Sequence, residues 1–86
     1  MDERYSFFSK KTEHWGDVYI STASNSPLIV ATFIYPRQPC DKDEGCEQVW
    51  EHFVGDTGEV AKAALVAYLD QKFGPHQYDL QRVMLD

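Results

Sequence analysis

The triplet Asp56-Thr57-Gly58, in the stretch FVGDTGEV (53–60), contains residue types that could carry out hydrolysis. Two such triplets placed face to face bring two carboxylates together, so that they share a proton and activate a water molecule. This chain holds one copy of the triplet. Hydrolysis would therefore require a dimer in which Asp56 meets its counterpart in a second copy.

The triplet resembles the catalytic loop of aspartic proteases, and a single copy per chain is similar to the retroviral type, which dimerises. The resemblance covers three residues. It would imply a framework of β-strands around the loop and a glycine-rich hairpin that serves as a flap, which this chain lacks. An aspartic-protease-like dimer through Asp56 is therefore the third functional hypothesis, and we predict no catalytic residue.

The residues around the triplet favour a structural role for Asp56. The sequence EVAKAALVAYLDQKF (59–73) is rich in Ala and Leu, which are strong helix formers. Asp56 precedes Glu59 by three positions, which matches the spacing of a capping box with Asp in the N-cap position. The pattern predicts a helix over 57–73, capped by Asp56.

Metal binding is not expected from the residues that could serve as ligands. Cys40, Cys46 and His52 are six positions apart, whereas a structural zinc site needs four ligands, usually in closely spaced pairs. The stretch DKDEG (41–45) is similar to the start of a calcium loop, but its glycine comes one position early and His52 stands where the bidentate Glu belongs. We predict no metal and no cofactor.

The acidic residues are the more informative group. Residues 41–59, named here the acidic segment, hold seven acids and one lysine, while the rest of the chain holds seven of each sign. The whole net charge of −6 therefore lies in 19 residues. Such an asymmetry bears on partners and solubility rather than on fold. It argues against direct binding to nucleic acid, which needs a basic surface.

Two β-strands and a hairpin are predicted in the first half of the chain. DVYIST (17–22) alternates apolar and polar residues, and LIVATFIY (28–35) is rich in β-branched and aromatic residues. The turn formers between them predict a hairpin. Residues 3–11 fit either a short strand or an irregular segment. Residues 78–85 fit a C-terminal strand or a helical turn, and we favour the strand because an isolated hairpin is marginally stable.

A second helix is predicted over residues 44–54. On a helical wheel, Cys46, Val49, Trp50, Phe53 and Val54 lie on one side, and Glu44, Glu47, Gln48 and Glu51 lie on the other. The expected fold is therefore a single α+β domain, residues 1–86. A small antiparallel sheet is covered on one face by the helices 44–54 and 57–73.

The compartment expected from the sequence is the cytoplasm. No stretch approaches the roughly 20 apolar residues of a membrane span, and the charged N-terminus MDERYSFFSKK does not have the pattern of a signal peptide. In a reducing compartment Cys40 and Cys46 would be free thiols. Their spacing leaves a small disulfide loop as the alternative.

The leading functional hypothesis is a non-enzymatic inhibitor or adaptor that docks on a basic protein surface, with no contact to nucleic acid or membrane. The proposed contact residues are Asp41, Asp43, Glu44, Glu47, Glu51 and Asp56. Acids concentrated on one element steer association with a basic partner. If that partner binds nucleic acid, the acids could compete for its site as a DNA mimic. The small size and acidity are similar to those of phage or mobile-element inhibitors of host defence, including anti-CRISPR proteins.

The alternative is a self-associating structural or accessory domain. The strand 28–35 is apolar on both faces, yet the expected helices cover one. Trp15, Tyr19 and Tyr35 are candidates either to cover the other face or to form a homodimer interface there.

Overall fold

The computed structural model describes residues 3–23, 26–37 and 46–83. Their five strands form one antiparallel sheet, and one helix packs on it. The elements are β1 (Glu3–Ser9), β2 (Trp15–Thr22), β3 (Ile29–Pro36), β4 (Gln48–Gly55), α1 (Gly58–Phe73) and β5 (Tyr78–Val83). The α+β class, the β2–β3 hairpin and the C-terminal strand are confirmed. Only one of the two expected helices is present in this part of the chain.

The strand order is β4-β3-β2-β1-β5. The first four strands follow one another as a meander. The chain then crosses the sheet as α1, and β5 pairs with β1 at the far side. The strands at the two edges of the sheet, β4 and β5, are thus the ones that the helix connects.

The helix expected over 44–54 is wrong. Residues 48–55 form β4, in which exposed and more buried residues alternate, and residues 44 and 45 lie outside the described part. The β-branched and aromatic residues of this segment suit a strand, and pairing with β3 satisfies its backbone. A pattern with a period of 3.6 fitted the same residues, because Val49 and Phe53 are four positions apart and are followed by Trp50 and Val54.

The helix α1 is confirmed, but its cap is not the residue expected. Thr57 is the N-cap, and its side-chain oxygen accepts a hydrogen bond from the backbone N–H of Val60 over 3.2 Å. Asp56 lies one position too early and is exposed. Gly74 ends the helix with a φ of 99°, a left-handed conformation that favours glycine.

The core lies between α1 and one face of the sheet, which we call the covered face. Phe7 is fully buried at its centre. Its ring makes edge contacts with Phe33 and Tyr35, at centroid distances of 4.9 and 5.4 Å. Ala61, Leu65 and Leu69 are the fully buried residues of the helix. Tyr35 is therefore a core residue rather than part of a second face.

Two close contacts hold α1 in place. A Cβ at Gly55 would lie 2.6 Å from the backbone nitrogen of Ala61, so the absence of a side chain lets the start of α1 approach β4. At the other end, the hydroxyl of Tyr78 donates to Asp70 over 2.6 Å. Burial, followed by this hydrogen bond, raises the pKa of Tyr78 to about 12.

Cys46 is disulfide-bonded, so the expectation of a free thiol is wrong at this position. Cys40 lies outside the described residues. Since the thiolate is the form of cysteine that attacks substrates and binds zinc, Cys46 is not available for either role in this state.

Candidate protein-binding surface

One face of the sheet is left uncovered by the described elements, and we call it the uncovered face. Because side chains alternate along each strand, it carries one residue in two from all five strands. On β2 to β4, the strands richest in apolar groups here, these residues are Trp15, Asp17, Tyr19, Ser21, Val30, Thr32, Ile34, Pro36, Gln48, Trp50, His52 and Val54.

Large apolar side chains are exposed on this face. Trp15, Trp50 and Val54 are 61, 59 and 54 % exposed. Trp50 lies opposite Ile34 in the β3–β4 register, and Val54 lies opposite Val30. These residues form two apolar pairs at the edge of the sheet, Ile34–Trp50 and Val30–Val54, one on each side of the Thr32–His52 pair. We call the four apolar residues the β3–β4 patch. Exposed aromatic groups on an uncovered sheet face make it a candidate interaction surface.

The middle of the uncovered face is polar. Arg4 donates to Asp17 over 3.1 Å, and its guanidinium lies 5.5 Å from the centre of the Tyr19 ring. The hydrogen bond to Asp17 raises the pKa of Arg4 above its usual value. The Thr32 hydroxyl forms a hydrogen bond of 3.0 Å with Nδ1 of His52. Thr32 and His52 lie between the two apolar pairs of the β3–β4 patch, and Asp17 lies opposite Ile34.

The backbone of β4 is open along one side. Arg37 N–H donates to the carbonyl of Glu47 over 2.7 Å, and hydrogen-bonded pairs recur at every second residue of an antiparallel ladder. Residues 47, 49, 51, 53 and 55 therefore bond to β3. The N–H and C=O groups of the intervening residues point away from the sheet. We call these the edge residues: Gln48, Trp50, His52 and Val54.

The acids proposed as contact residues have different positions. Glu47 forms an ion pair of 2.9 Å with Arg37, and both side chains are largely exposed. Glu51 lies on the covered face, opposite Phe33. Asp56 is exposed between β4 and α1. Asp41, Asp43 and Glu44 lie outside the described residues. The three described acids thus lie before, within and after β4 rather than along one side of a helix.

Glu51 lines a pocket of about 480 Å³ between β3, β4 and the end of α1. Aromatic side chains, among them Phe33 and Phe73, line the pocket together with two cationic side chains, Arg37 and Lys72. The Lys72 ammonium donates to the hydroxyl of Tyr68 over 3.1 Å. Within the described residues Glu51 forms no ion pair. Glu51 is thus a carboxylate in a pocket lined by both aromatic and cationic side chains.

Neither hydrolytic nor metal chemistry gains support from the geometry. The Asp56-Thr57-Gly58 triplet leads directly into α1, where Thr57 serves as the cap. Across residues 3–23, 26–37 and 46–83, no group of three or more His, Cys, Asp or Glu side chains could hold a metal ion. The same part of the chain contains no helix long and apolar enough to cross a membrane.

No family model, curated protein or solved structure matches this chain. The uncovered face is therefore a candidate surface on the geometry of this chain alone. Trp15 and Tyr19 were expected on a second face, and they lie there. Trp50 and Val54 were missed, because a helix would have turned them inward. Glu51 interrupts the apolar alternation of Val49 and Phe53, so no period-two pattern in this segment indicated the strand.

Proposed function

We propose that this protein is a non-enzymatic binding module that docks on a basic surface of a partner protein through the β3–β4 patch. The observation that carries the proposal is the exposure of Trp50 and Val54 on a face that no described element covers. Aromatic side chains are enriched among the residues that dominate binding energy at interfaces.

Charge identifies the class of partner. The described residues 46–59, which contain β4, hold four acids and neither lysine nor arginine. A partner that buries the β3–β4 patch and extends around the open edge of β4 meets Glu51 on the covered side, and a basic surface would be attracted to it. The Glu47–Arg37 pair is solvent-exposed, so it contributes little energy and exchanges easily with a partner's cation.

This arrangement favours a role as an inhibitor or as an adaptor. A small acidic domain that covers a basic surface blocks whatever that surface normally binds. Nucleic acid is one such ligand, since its phosphates are recognised by lysine and arginine. Competition for a nucleic-acid-binding site, as anti-CRISPR proteins achieve against host defence complexes, is therefore part of the proposal.

A capture experiment with matched variants tests the proposal. The protein and its Trp50→Ser and Val60→Ser variants are produced in the native host, cross-linked and purified, and the captured proteins are quantified by mass spectrometry. Val60 is a suitable control because it is 53 % exposed on α1, which packs on the face of the sheet opposite to the patch. We expect a basic partner that Val60→Ser retains, Trp50→Ser loses, and high salt releases.

The result that would overturn the proposal is a capture profile that Trp50→Ser leaves unchanged, or one in which the retained partner is acidic. If the Val60→Ser control also lost the partner, we would compare the thermal melts of both variants with that of the wild type. A lowered melting temperature would identify a folding defect.

Self-association is the second candidate function, because an exposed aromatic face can also bind a copy of itself. The acids around β4 oppose a dimer through this edge, but not one through Trp15 and Phe8, whose rings lie 4.7 Å apart. Sedimentation over a concentration series separates the two functions. A monomer at high micromolar concentration would eliminate self-association.

A further inference from the structure

We infer that the partner adds an extended, basic strand to the open side of β4, antiparallel to it. The inference rests on the proposed function and specifies how the partner is held. Strand addition to a sheet edge is a known mode of peptide recognition, in which backbone hydrogen bonds supply affinity and alternate side chains supply specificity.

The open side of β4 has the groups that such a strand needs. The four edge residues present their N–H and C=O groups away from β3. None of these backbone groups has a hydrogen-bond partner in the described structure. The strand is eight residues long and contains no proline, so its donors are intact. Natural sheets usually protect such an edge with charges, bulges or prolines.

The side chains beside β4 specify an alternating partner. In an antiparallel pair, residues directly opposite each other have side chains on the same face. The side chains of the partner residues that bond to the edge residues would therefore lie on the uncovered face. Apolar side chains at these partner positions would pack on Trp50 and Val54. The partner residues between them would face Glu51 on the other side, where a lysine or arginine would supply its missing ion pair.

Glu51 also restricts which strands can be added. A charge on the covered side of an edge strand is one of the features that oppose indiscriminate pairing. An acidic strand would be repelled by Glu51, and a purely apolar strand would leave it with Arg37 and Lys72, which line the same pocket, as its possible counterions. The edge thus favours a basic strand over the others.

A second copy of this chain is disfavoured at the same edge. Pairing two β4 strands would bring together two segments that each hold four acids and no lysine or arginine between residues 46 and 59. Like charges opposite each other destabilise a strand pair. The occupant that fits the charge is therefore a strand from a basic partner.

A matched set of eight-residue peptides tests the inference. The first alternates lysine with valine, and a second replaces every lysine by glutamate. Two more carry N-methyl groups, on the valines in one peptide and on the lysines in the other. In an antiparallel arrangement the valines bond to the edge residues, so N-methyl-valine blocks pairing, whereas N-methyl-lysine leaves the donors facing β4 intact.

We expect the lysine–valine peptide to bind and to slow the hydrogen exchange of the edge amides of Gln48, Trp50, His52 and Val54. The amides of Tyr78, Leu80 and Arg82, which line the open side of β5, serve as the internal control and should not change. The glutamate and N-methyl-valine peptides should bind at least about tenfold more weakly, which corresponds to a loss of roughly 1.4 kcal/mol.

A pair of substitutions in the protein tests whether the outward N–H groups of β4 bind the peptide. His52→Pro removes one outward N–H without breaking a bond to β3, and proline is tolerated at such edge positions. His52→Ala removes the same side chain and keeps the N–H. Peptide affinity should fall about tenfold in His52→Pro relative to His52→Ala, because a buried acceptor loses its donor.

Three outcomes would overturn strand addition: no binding of the lysine–valine peptide, equal binding of the two N-methylated peptides, or unchanged exchange of the edge amides. The proposed function would survive any of these if Trp50→Ser still abolished capture of a basic partner. Both ideas fail if the peptides do not bind and capture is also independent of Trp50.

Discussion

Trp50 on β4 lies directly opposite Ile34 on β3, and its side chain is 59 % exposed on the face of the sheet that α1 does not cover. The two residues belong to the β3–β4 patch, next to the part of the chain that carries the acids. An apolar surface beside an open, acidic strand edge is the relationship from which we infer partner binding.

Replacement of Trp50 by serine should leave the fold intact. Because the side chain is mostly exposed, we expect the free energy of unfolding to fall by only about 1 kcal/mol, from the lost pair with Ile34 and the lower β-propensity of serine. Phe7→Ala, in contrast, should cost about 3–5 kcal/mol, since Phe7 is fully buried. Urea denaturation at neutral pH measures both values. A large loss of stability in Trp50→Ser would mean that Trp50 is a structural residue.

Substitutions at the start of α1 should identify its cap. Thr57→Ala should cost about 0.5–2 kcal/mol, because it removes the acceptor of the Val60 N–H. Thr57→Ser, which keeps a capping hydroxyl, should cost less, and Asp56→Ala should cost less than Thr57→Ala. Thermal melts of the three variants provide the comparison. A larger effect at Asp56 than at Thr57 would contradict this assignment.

Gly55→Ala should destabilise the protein, although alanine usually suits a regular element better than glycine. The added methyl group would lie 2.6 Å from the Ala61 nitrogen and 2.8 Å from the Val60 side chain, so α1 or β4 must shift. Overpacking of this kind costs about 1–3 kcal/mol. Urea denaturation would measure it, and a stability equal to the wild type would show that α1 can move away from β4 at no cost.

Tyr78→Phe should lower stability by about 1 kcal/mol at neutral pH, because it removes the hydrogen bond to Asp70. The folded pKa of Tyr78, about 12, lies above the unfolded value of about 10. The linked stability is therefore fully present below pH ~10 and is lost as pH rises through the folded pKa.

The stability difference between wild type and Tyr78→Phe should accordingly shrink as the pH is raised from 10 to 12. Urea denaturation across this range measures the difference directly, and the phenylalanine variant corrects for the other groups that titrate there. A difference that stays constant up to pH 12 would contradict the raised pKa.

The elements that local sequence determines could be predicted. β2, β3 and α1 agree with the sequence reading within about two residues, because β-branched residues and an Ala- and Leu-rich run are strong local signals. The single-residue error in the cap arose because Asp56 and Thr57 both have side chains that can cap a helix, and the sequence does not show which one faces the Val60 N–H.

The error at β4 had a different cause. Val49, Trp50, Phe53 and Val54 satisfy the helical spacing, while Glu51 interrupts the apolar alternation that indicates a strand. Pairing with β3, which is distant in sequence, decides the outcome, and no local pattern reports it. The uncovered face was expected, since 28–35 is apolar on both sides. The exposure of Trp50 and Val54 on this face follows only from β4 being a strand, so the sequence did not indicate it.

The most direct test of the central claim is site-specific photo-cross-linking in the native host. A photoreactive phenylalanine derivative is placed at position 50 in one version of the protein and at position 60 in another. We expect position 50 to cross-link to a basic partner and position 60 to yield no such product. Cross-links from position 60 but not from position 50 would show that the partner does not bind at the β3–β4 patch.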